Sequence, residues 1–351
     1  MDAVLLSGGV DSSVALMRHI THHGADRLRA YYLKIWLEDE LASLGACPWE
    51  EDLAYVRAVA DRAGVPLEVV PLQREYFDRV VSYAIAELKA GRTPSPDLFC
   101  NQRIKFGAFL DHVDQAERVV TGHYAQVERG ERVRLAMAPD PVKDQTYFLS
   151  ELSPQQLARA EFPVGTMNKR EVRELAARLD LPNQARPDSQ GICFLGKIRY
   201  PEFVRHYLGT RPGTIRNSQT GQTLGTHQGV WFYTIGQRQG LGLGNGPWYV
   251  VDKTMDDNTL WVSHAQAAQH FSRDRFVVGE LNWLAGPPET DRLKLKLRHG
   301  PDLVDCRIVR SADRLEVTMD RADRGVAPGQ FAVFYDPPYC LGAGKILEQA
   351  A

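Results

Sequence analysis

The sequence predicts an α/β fold: an N-terminal doubly wound parallel sheet, then a small β-containing central domain and a C-terminal β-barrel. Three observations lead there. Residues 1 to about 125 alternate apolar, β-rich runs with amphipathic stretches, the order that winds a parallel sheet with helices on both faces. Beyond Tyr207 the character shifts to frequent Gly, Thr and Gln, and then to alternating strands such as Leu293-Lys-Leu-Lys-Leu-Arg298. A chain of 351 residues also exceeds one ordinary core. The expected domains are 1–206, 207–269 and 270–351.

The first strand, 3–6, runs into Ser7-Gly-Gly-Val-Asp-Ser-Ser13 and directly into a helix start. Gly8 and Gly9 carry no Cβ, so the backbone can turn sharply and bring several N–H groups onto an anion. Ser7, Asp11, Ser12 and Ser13 add hydroxyls and an N-cap, and the helix dipole points at the same place. The run lacks the Lys of a Walker A loop and reads instead as the pyrophosphate loop of adenylating enzymes. Further parallel strands are expected at 30–36, 67–72 and 118–122. Ligands lie beyond the carboxyl ends of such strands, where Ser7–Ser13, Leu33 and Thr121-Gly-His-Tyr124 converge, with an adenine near Leu33 and Gly122. One helical segment is expected over 153–180, opened by Ser153-Pro154 and stopped by Leu181-Pro182. Along 293–298, Lys294, Lys296 and Arg298 alternate with leucines, which predicts a basic outer strand face over a barrel core.

Composition narrows the class. Hydrophobic residues make up 44% of the chain and no run approaches a membrane span, so no membrane partner is expected. The first strand follows Met1 almost at once, which leaves a cytoplasmic enzyme as the expectation. The formal net charge of −2 means that a nucleic-acid partner must be held by local basic patches. Cys47, Cys100, Cys193, Cys306 and Cys340 form no Cys-x-x-Cys pair, so neither a zinc knuckle nor a secreted disulfide framework is indicated. Gly191-Ile-Cys-Phe-Leu-Gly-Lys-Ile198 imitates a P-loop but has Ile198 where the magnesium-binding hydroxyl belongs.

Two cysteines stand in chemical settings. Cys100 ends the double-proline stretch Gly91-Arg-Thr-Pro-Ser-Pro-Asp-Leu-Phe-Cys100, ahead of a helix expected to start near Asn101. Arg103 and Lys105 close by would lower its pKa, while a buried core thiol is the competing reading. Cys193 lies in Asp188-Ser-Gln-Gly-Ile-Cys-Phe-Leu-Gly196, apolar, glycine-bounded and suited to a mobile loop that carries a reactive group, with a buried core thiol again the competing reading.

Together with Lys143-Asp-Gln-Thr-Tyr-Phe-Leu149, Phe162-Pro-Val-Gly165, His227-Gln-Gly229, Thr234-Ile-Gly-Gln-Arg238, Trp248-Tyr-Val-Val-Asp-Lys253 and Pro328-Gly-Gln-Phe-Ala-Val-Phe-Tyr335, these segments resemble the tRNA-specific 2-thiouridylases, the MnmA or TrmU family of PP-loop ATP pyrophosphatases. The resemblance spans nearly the whole chain. It implies replacement of oxygen by sulfur at C2 of the wobble uridine in the Lys, Glu and Gln tRNAs. ATP, with Mg2+ and Asp11 as a ligand, would adenylate the oxygen. A cysteine desulfurase or relay protein would supply the persulfide.

By the same resemblance, Leu5, Leu6, Ser7, Gly8, Gly9, Val10, Asp11, Ser12, Ser13, Leu33 and Gly122 bind ATP. Cys193 carries the persulfide. Cys100 is the nucleophile, either releasing sulfide from Cys193 or leaving a disulfide with it. Asp97 acts on a proton or orients the base. Ser95, Pro96 and Asp97 meet the target base, and His123, Lys143, Asp144, Gln145, Arg298, His299 and Gln330 meet tRNA. Ser95, Gln190 and His299 depart from the family's usual Asn, Thr and Tyr, which puts a base-edge hydrogen bond and a stacking contact in question. Two other readings compete: a PP-loop ligase or amidating enzyme that needs no thiol, and a tRNA-binding or sulfur-carrier protein with a vestigial nucleotide site.

Overall fold

The computed structural model describes residues 1–35, 49–188 and 198–349. Strands β1 (Asp2–Leu5), β2 (Leu28–Lys34), β3 (Leu67–Pro71) and β4 (Arg118–Val120) form a parallel sheet in the order β3-β2-β1-β4. Ala3 and Val4 are both fully buried, yet in different apolar clusters. Successive side chains of a strand face opposite ways, so a sheet covered on both sides buries both. Helix α1 (Val10–His23) sends Leu16 into one cluster and Val14 into another. Helix α2 (Trp49–Ala63) covers the first of these with Leu53, Val56 and Val59. Two continuous helical runs, α3 (73–89) and α4 (96–112), return the chain from β3 to β4.

The next part departs from the expected single helix over 153–180. It divides into α6 (Pro154–Arg159), a fifth parallel strand at Ala160–Glu161 beside β4, and α7 (Lys169–Arg178); α5 is the short turn Thr146–Leu149. Two capping boxes mark the two starts, Ser153 with Gln156 and Asn168 with Glu171. Between them Pro163 offers no N–H, and Gly165 packs so tightly that a Cβ would lie 1.7 Å from the Ala125 carbonyl oxygen. Glu161 accepts from buried His19 (2.8 Å) and Arg118 (3.0 Å). Burial alone would raise this carboxyl; the two partners reverse that and hold it at about 2. His23 completes a cluster with His19 and Glu161, but Arg118 stands 3.4 Å from its Nε2, so a guanidinium already supplies the positive charge there.

Strands β5 (Ala125–Arg129) and β6 (Val133–Met137) form a hairpin; with Ala160–Glu161 taken as β7, the central sheet runs β10-β11-β8-β9 from β8 (Gly213–Asn217), β9 (Thr223–His227), β10 (Trp248–Thr254) and β11 (Thr259–His264). A closed six-stranded barrel follows: β12 (Arg273–Trp283), β13 (Arg292–Lys296), β14 (Val304–Ser311), β15 (Arg314–Asp323), β16 (Phe331–Asp336) and β17 (Tyr339–Gln349), with β17 pairing back onto β12. The β5–β6 hairpin belongs in sequence to the first domain, yet β6 hydrogen-bonds to β17 at Tyr339 and Cys340. Leu293, Leu295 and Leu297 fill the barrel as expected. Their neighbours do not form one basic face, because Lys296 is only 2% exposed, covered by the segment that contains Asp144. Cys306 and Cys340 are buried, and burial raises both thiols, Cys306 to about 12. Among the described residues no helix is long and apolar enough to cross a membrane.

Glu151, between α4 and the barrel, is buried with Oε1 unpartnered. Burial, reinforced by Glu280 and opposed by Arg103, pushes its carboxyl up to about 8. An acid whose folded pKa is raised stabilises fully only below its unfolded value, and the penalty grows until pH passes the folded value. Glu151→Gln is therefore expected to raise stability by about 1–3 kcal/mol at pH 8 and by little at pH 4.5. Thermal unfolding across that range measures it, and a pH-independent difference would refute the assignment.

Candidate active site

The loop after β1 is built to present backbone donors. Gly8 has φ +78°, a conformation that L side chains rarely adopt, and a Cβ there would strike Arg186 and the Asp52 carbonyl. Its carbonyl oxygen accepts from Asn183 Nδ2 (2.8 Å) and Arg186 Nη1 (3.1 Å). Held so, the oxygen is kept to that side, and the first turn of α1 is left with N–H groups that have no intrahelical partner. Gly9, rather than one of Ser7, Asp11, Ser12 and Ser13, is the N-cap, and Ser12 and Ser13 donate back to its carbonyl (3.0 and 3.1 Å). Gly122 lies against the same turn, where a Cβ would come within 2.6 Å of Ser12 N. Leu5, Leu6 and Val10, expected among the nucleotide contacts, bury their side chains in the core and can offer a nucleotide only backbone. Leu33 is half-buried at the end of β2.

Charge is concentrated at the mouth of this loop. Asp11 Oδ1 accepts from Tyr124 (2.8 Å) and from Lys169 Nζ (2.7 Å). Lys169 also pairs with Asp188 (2.7 Å), which Lys143 (2.7 Å) and Arg173 share. Burial would raise Asp188, but these three cations hold its carboxyl well below the ordinary range. Lys143, a tRNA contact by the resemblance, pairs here with Asp188 at the start of the Cys193 segment, and Lys169 carries that link on to Asp11 of the nucleotide loop. Lys169, Arg173, Asn183 and Arg186 escape sequence reasoning, since they follow α6 without a motif and reach the loop only by folding. The Asn168 capping box was the one local signal that Lys169 opens a helix.

The proline stretch forms the second part. The helix starts at Pro96 rather than near Asn101, which places Cys100 a turn inside, at the beginning of a π-helical stretch, 2% exposed. Of the two nearby cations, Arg103 lies 3.7 Å over the Phe99 ring and donates to the Arg79 carbonyl, and Lys105 donates to Asn101 Oδ1. Asp97 and Ser95 are half-buried on the same turn, with Ser95 N donating to Tyr83 Oη (3.4 Å). Pro96 is buried. Cys193, Gln190 and Cys47 lie outside the described residues.

The expected RNA contacts separate into three settings. Asp144 is fully buried, paired with Lys296 (3.1 Å) and bonded to Thr146 Oγ1 and Ala138 N, so its side chain organises the fold and is not open to RNA. Gln145 clamps the Tyr124 backbone through its Oε1 (3.0 Å). His299 stacks on Phe148 (4.8 Å, 20°) and bonds through Nε2 to the Asp144 carbonyl, and burial lowers its pKa. His123 bonds to Thr121 Oγ1 (2.7 Å), with its pKa pushed well down by burial and by Lys105. Arg298 and Gln330 line a cleft of about 610 Å³ with Thr234, Gly236 and Arg324, between the central domain and the barrel. Thr234 lies 3.4 Å from Thr93 of the proline stretch, so the cleft borders it.

Comparison with known proteins agrees with this arrangement. Residues 2–197 match the tRNA methyl transferase HUP domain family, 201–264 the tRNA methyl transferase PRC-barrel domain and 273–346 the aminomethyltransferase beta-barrel domain. A tRNA-specific 2-thiouridylase MnmA 2 of Bacteroides fragilis is 42% identical over 98% of this chain and 99% of that protein. The tRNA-specific 2-thiouridylases MnmA of Parabacteroides distasonis and Porphyromonas gingivalis are 42% and 40% identical over 99% of both chains. Three domain families in the same order, and identity at this level along the full length, leave one conclusion: the chain belongs to the tRNA-specific 2-thiouridylase family.

Proposed function

We propose that this protein thiolates tRNA, replacing the C2 oxygen of the wobble uridine by sulfur at the expense of ATP. The observation that carries the reading is the segment 143–149. It reaches the nucleotide loop indirectly, through Lys143, which shares Asp188 with Lys169, the partner of Asp11, and the barrel beside Arg298 through Tyr147 Oη, which donates to the Leu297 and Phe331 carbonyls (3.3 Å each). One stretch of chain thus fixes the nucleotide loop relative to the cleft.

In this reading the loop N–H groups and Lys169 hold the phosphates of ATP while the uridine C2 oxygen attacks the α-phosphorus and pyrophosphate leaves. Tyr124 and Lys169 both meet Asp11 at Oδ1, so its Oδ2 can ligate a magnesium ion, which when bound with ATP offsets phosphate charge. The adenylate makes AMP the leaving group, and the terminal sulfur of a Cys193 persulfide attacks C2. The Cys100 thiolate breaks the carrier's S–S bond at Cys193 Sγ. This leaves a Cys100–Cys193 disulfide, which a cellular thiol reductant resets. Arg298, Arg324 and Gln330 hold RNA in the cleft, and Ser95 and Asp97 meet the splayed uridine. The substrates are the Lys, Glu and Gln tRNAs, the donor is a cysteine desulfurase or relay protein, and the setting is the cytoplasm.

The test is a reconstituted reaction with wobble-uridine tRNA, ATP, magnesium, cysteine and a cysteine desulfurase, read by mass spectrometry of the nucleosides. The wild type should form 2-thiouridine with AMP and pyrophosphate; Cys193→Ser should form none. Equal thiolation by the variant would remove Cys193 as carrier. ATP cleavage with a nitrogen-containing product would favour the ligase reading.

A further inference from the structure

The proline stretch is joined to the barrel by a charge cluster centred on the buried pair Glu87–Lys345, with Arg92 partly exposed beside it. Glu87, near the end of α3, is nearly buried and receives a bidentate Arg92 (2.7 and 2.8 Å) and Lys345 of β17 (3.0 Å). Lys345 also lies 3.4 Å from Glu280 of β12. Burial would raise the Glu87 carboxyl, but Arg92 and Lys345 outweigh it and hold the group below its ordinary value, hence ionised. Neighbouring contacts follow the same line. Thr93 N donates to the Pro328 carbonyl (2.9 Å), and Phe99 packs edge-on against Phe331 (5.5 Å). Gly329 has φ +91°, and a Cβ there would fall 2.8 Å from Arg92 Cβ, 2.8 Å from the Thr93 carbonyl and 2.9 Å from Glu87 Oε2.

We propose that Glu87, Arg92 and Lys345 are positioning residues that hold the Ser95–Cys100 turn in register with the RNA-binding barrel. The inference rests on the role proposed above for that turn and adds what sets its position. Buried ion pairs contribute little net stability against apolar replacements, so a cluster spanning two domains is better explained by the geometry it enforces. Arg92 leads directly into the proline stretch, and its forked head can meet both Glu87 oxygens in only one orientation. Lys345 ties the same carboxylate to the strand that follows Phe331–Asp336. The barrel that holds RNA and the turn that meets the uridine therefore share one carboxylate.

Lys345→Met separates the barrel from Glu87 and leaves the Arg92–Glu87 pair intact. It should lower kcat for thiolation about ten-fold with tRNA KM changed less than about two-fold, because a small displacement of a reacting group has large kinetic consequences. Cys100 should also be alkylated by iodoacetamide several-fold faster, followed by mass spectrometry of its peptide, and Lys345→Arg should restore both. Arg92→Lys, which keeps the charge and loses the fork, should reproduce the phenotype if Lys345→Met fails to fold. Wild-type kcat and wild-type Cys100 reactivity in a folded Lys345→Met protein would overturn the inference. An inactive wild type would instead refute the thiolation reading, and the Cys100 reactivity would still judge the clamp.

Discussion

Asp144→Ala is expected to destabilise the protein by about 3–5 kcal/mol, because it leaves Lys296 charged and buried without its partner. Both side chains are fully buried, and Asp144 also satisfies Thr146 Oγ1 and the Ala138 N–H. Its removal strips three donors at once. The same logic sets the sign of the double variant: Asp144→Ala with Lys296→Met removes both charges and should recover part of the loss, so the cycle of wild type, the two single variants and the double gives a strong favourable coupling. Urea unfolding of the four proteins measures it. A single-variant effect under about 1 kcal/mol would show that water reaches the pair.

Lys169→Met should weaken ATP and pyrophosphate binding about 10- to 100-fold, the range of a lost charge-assisted hydrogen bond. Lys169 stands 2.7 Å from both Asp11 and Asp188 at the mouth of the Gly8–Gly9 loop, where a phosphate would meet the N–H groups of α1's first turn. Phosphate would take over the ammonium from Asp188, which retains Lys143 and Arg173. Calorimetry should show adenosine binding unchanged. Equal losses for adenosine and pyrophosphate would mean that the variant had disturbed the whole loop and that Lys169 does not meet phosphate.

The parts of the site that the sequence reveals are those whose chemistry is local. Ser7–Ser13 combines glycine turn, hydroxyls and helix start within seven residues, so its role is written in the order of residue types. The parallel sheet is equally legible, since 3–6, 30–36, 67–72 and 118–122 each carry the apolar run that a strand buried on two faces requires. The helix over 153–180 was misjudged because amphipathic spacing continues across the break, while the two capping boxes that divide it are subtler than the Ser-Pro start. The start of α4 was placed too late because Pro96, favourable at a first helical turn, reads equally well as a loop residue.

What the sequence determined alone is the α/β sheet, the anion-binding loop and the family, because each depends on residue types at fixed short spacing. Tertiary structure decided which charges are available. Asp144 and Lys296 are 152 positions apart and look like surface residues until β13 is laid against the segment after β6, where both side chains are fully buried against each other. Lys169 and Asn183 reach Asp11 and Gly8 across some 160 residues for the same reason: α7 packs beside α1. Whether a charged side chain serves a ligand or the fold depends on what covers it, and cover is a property of packing.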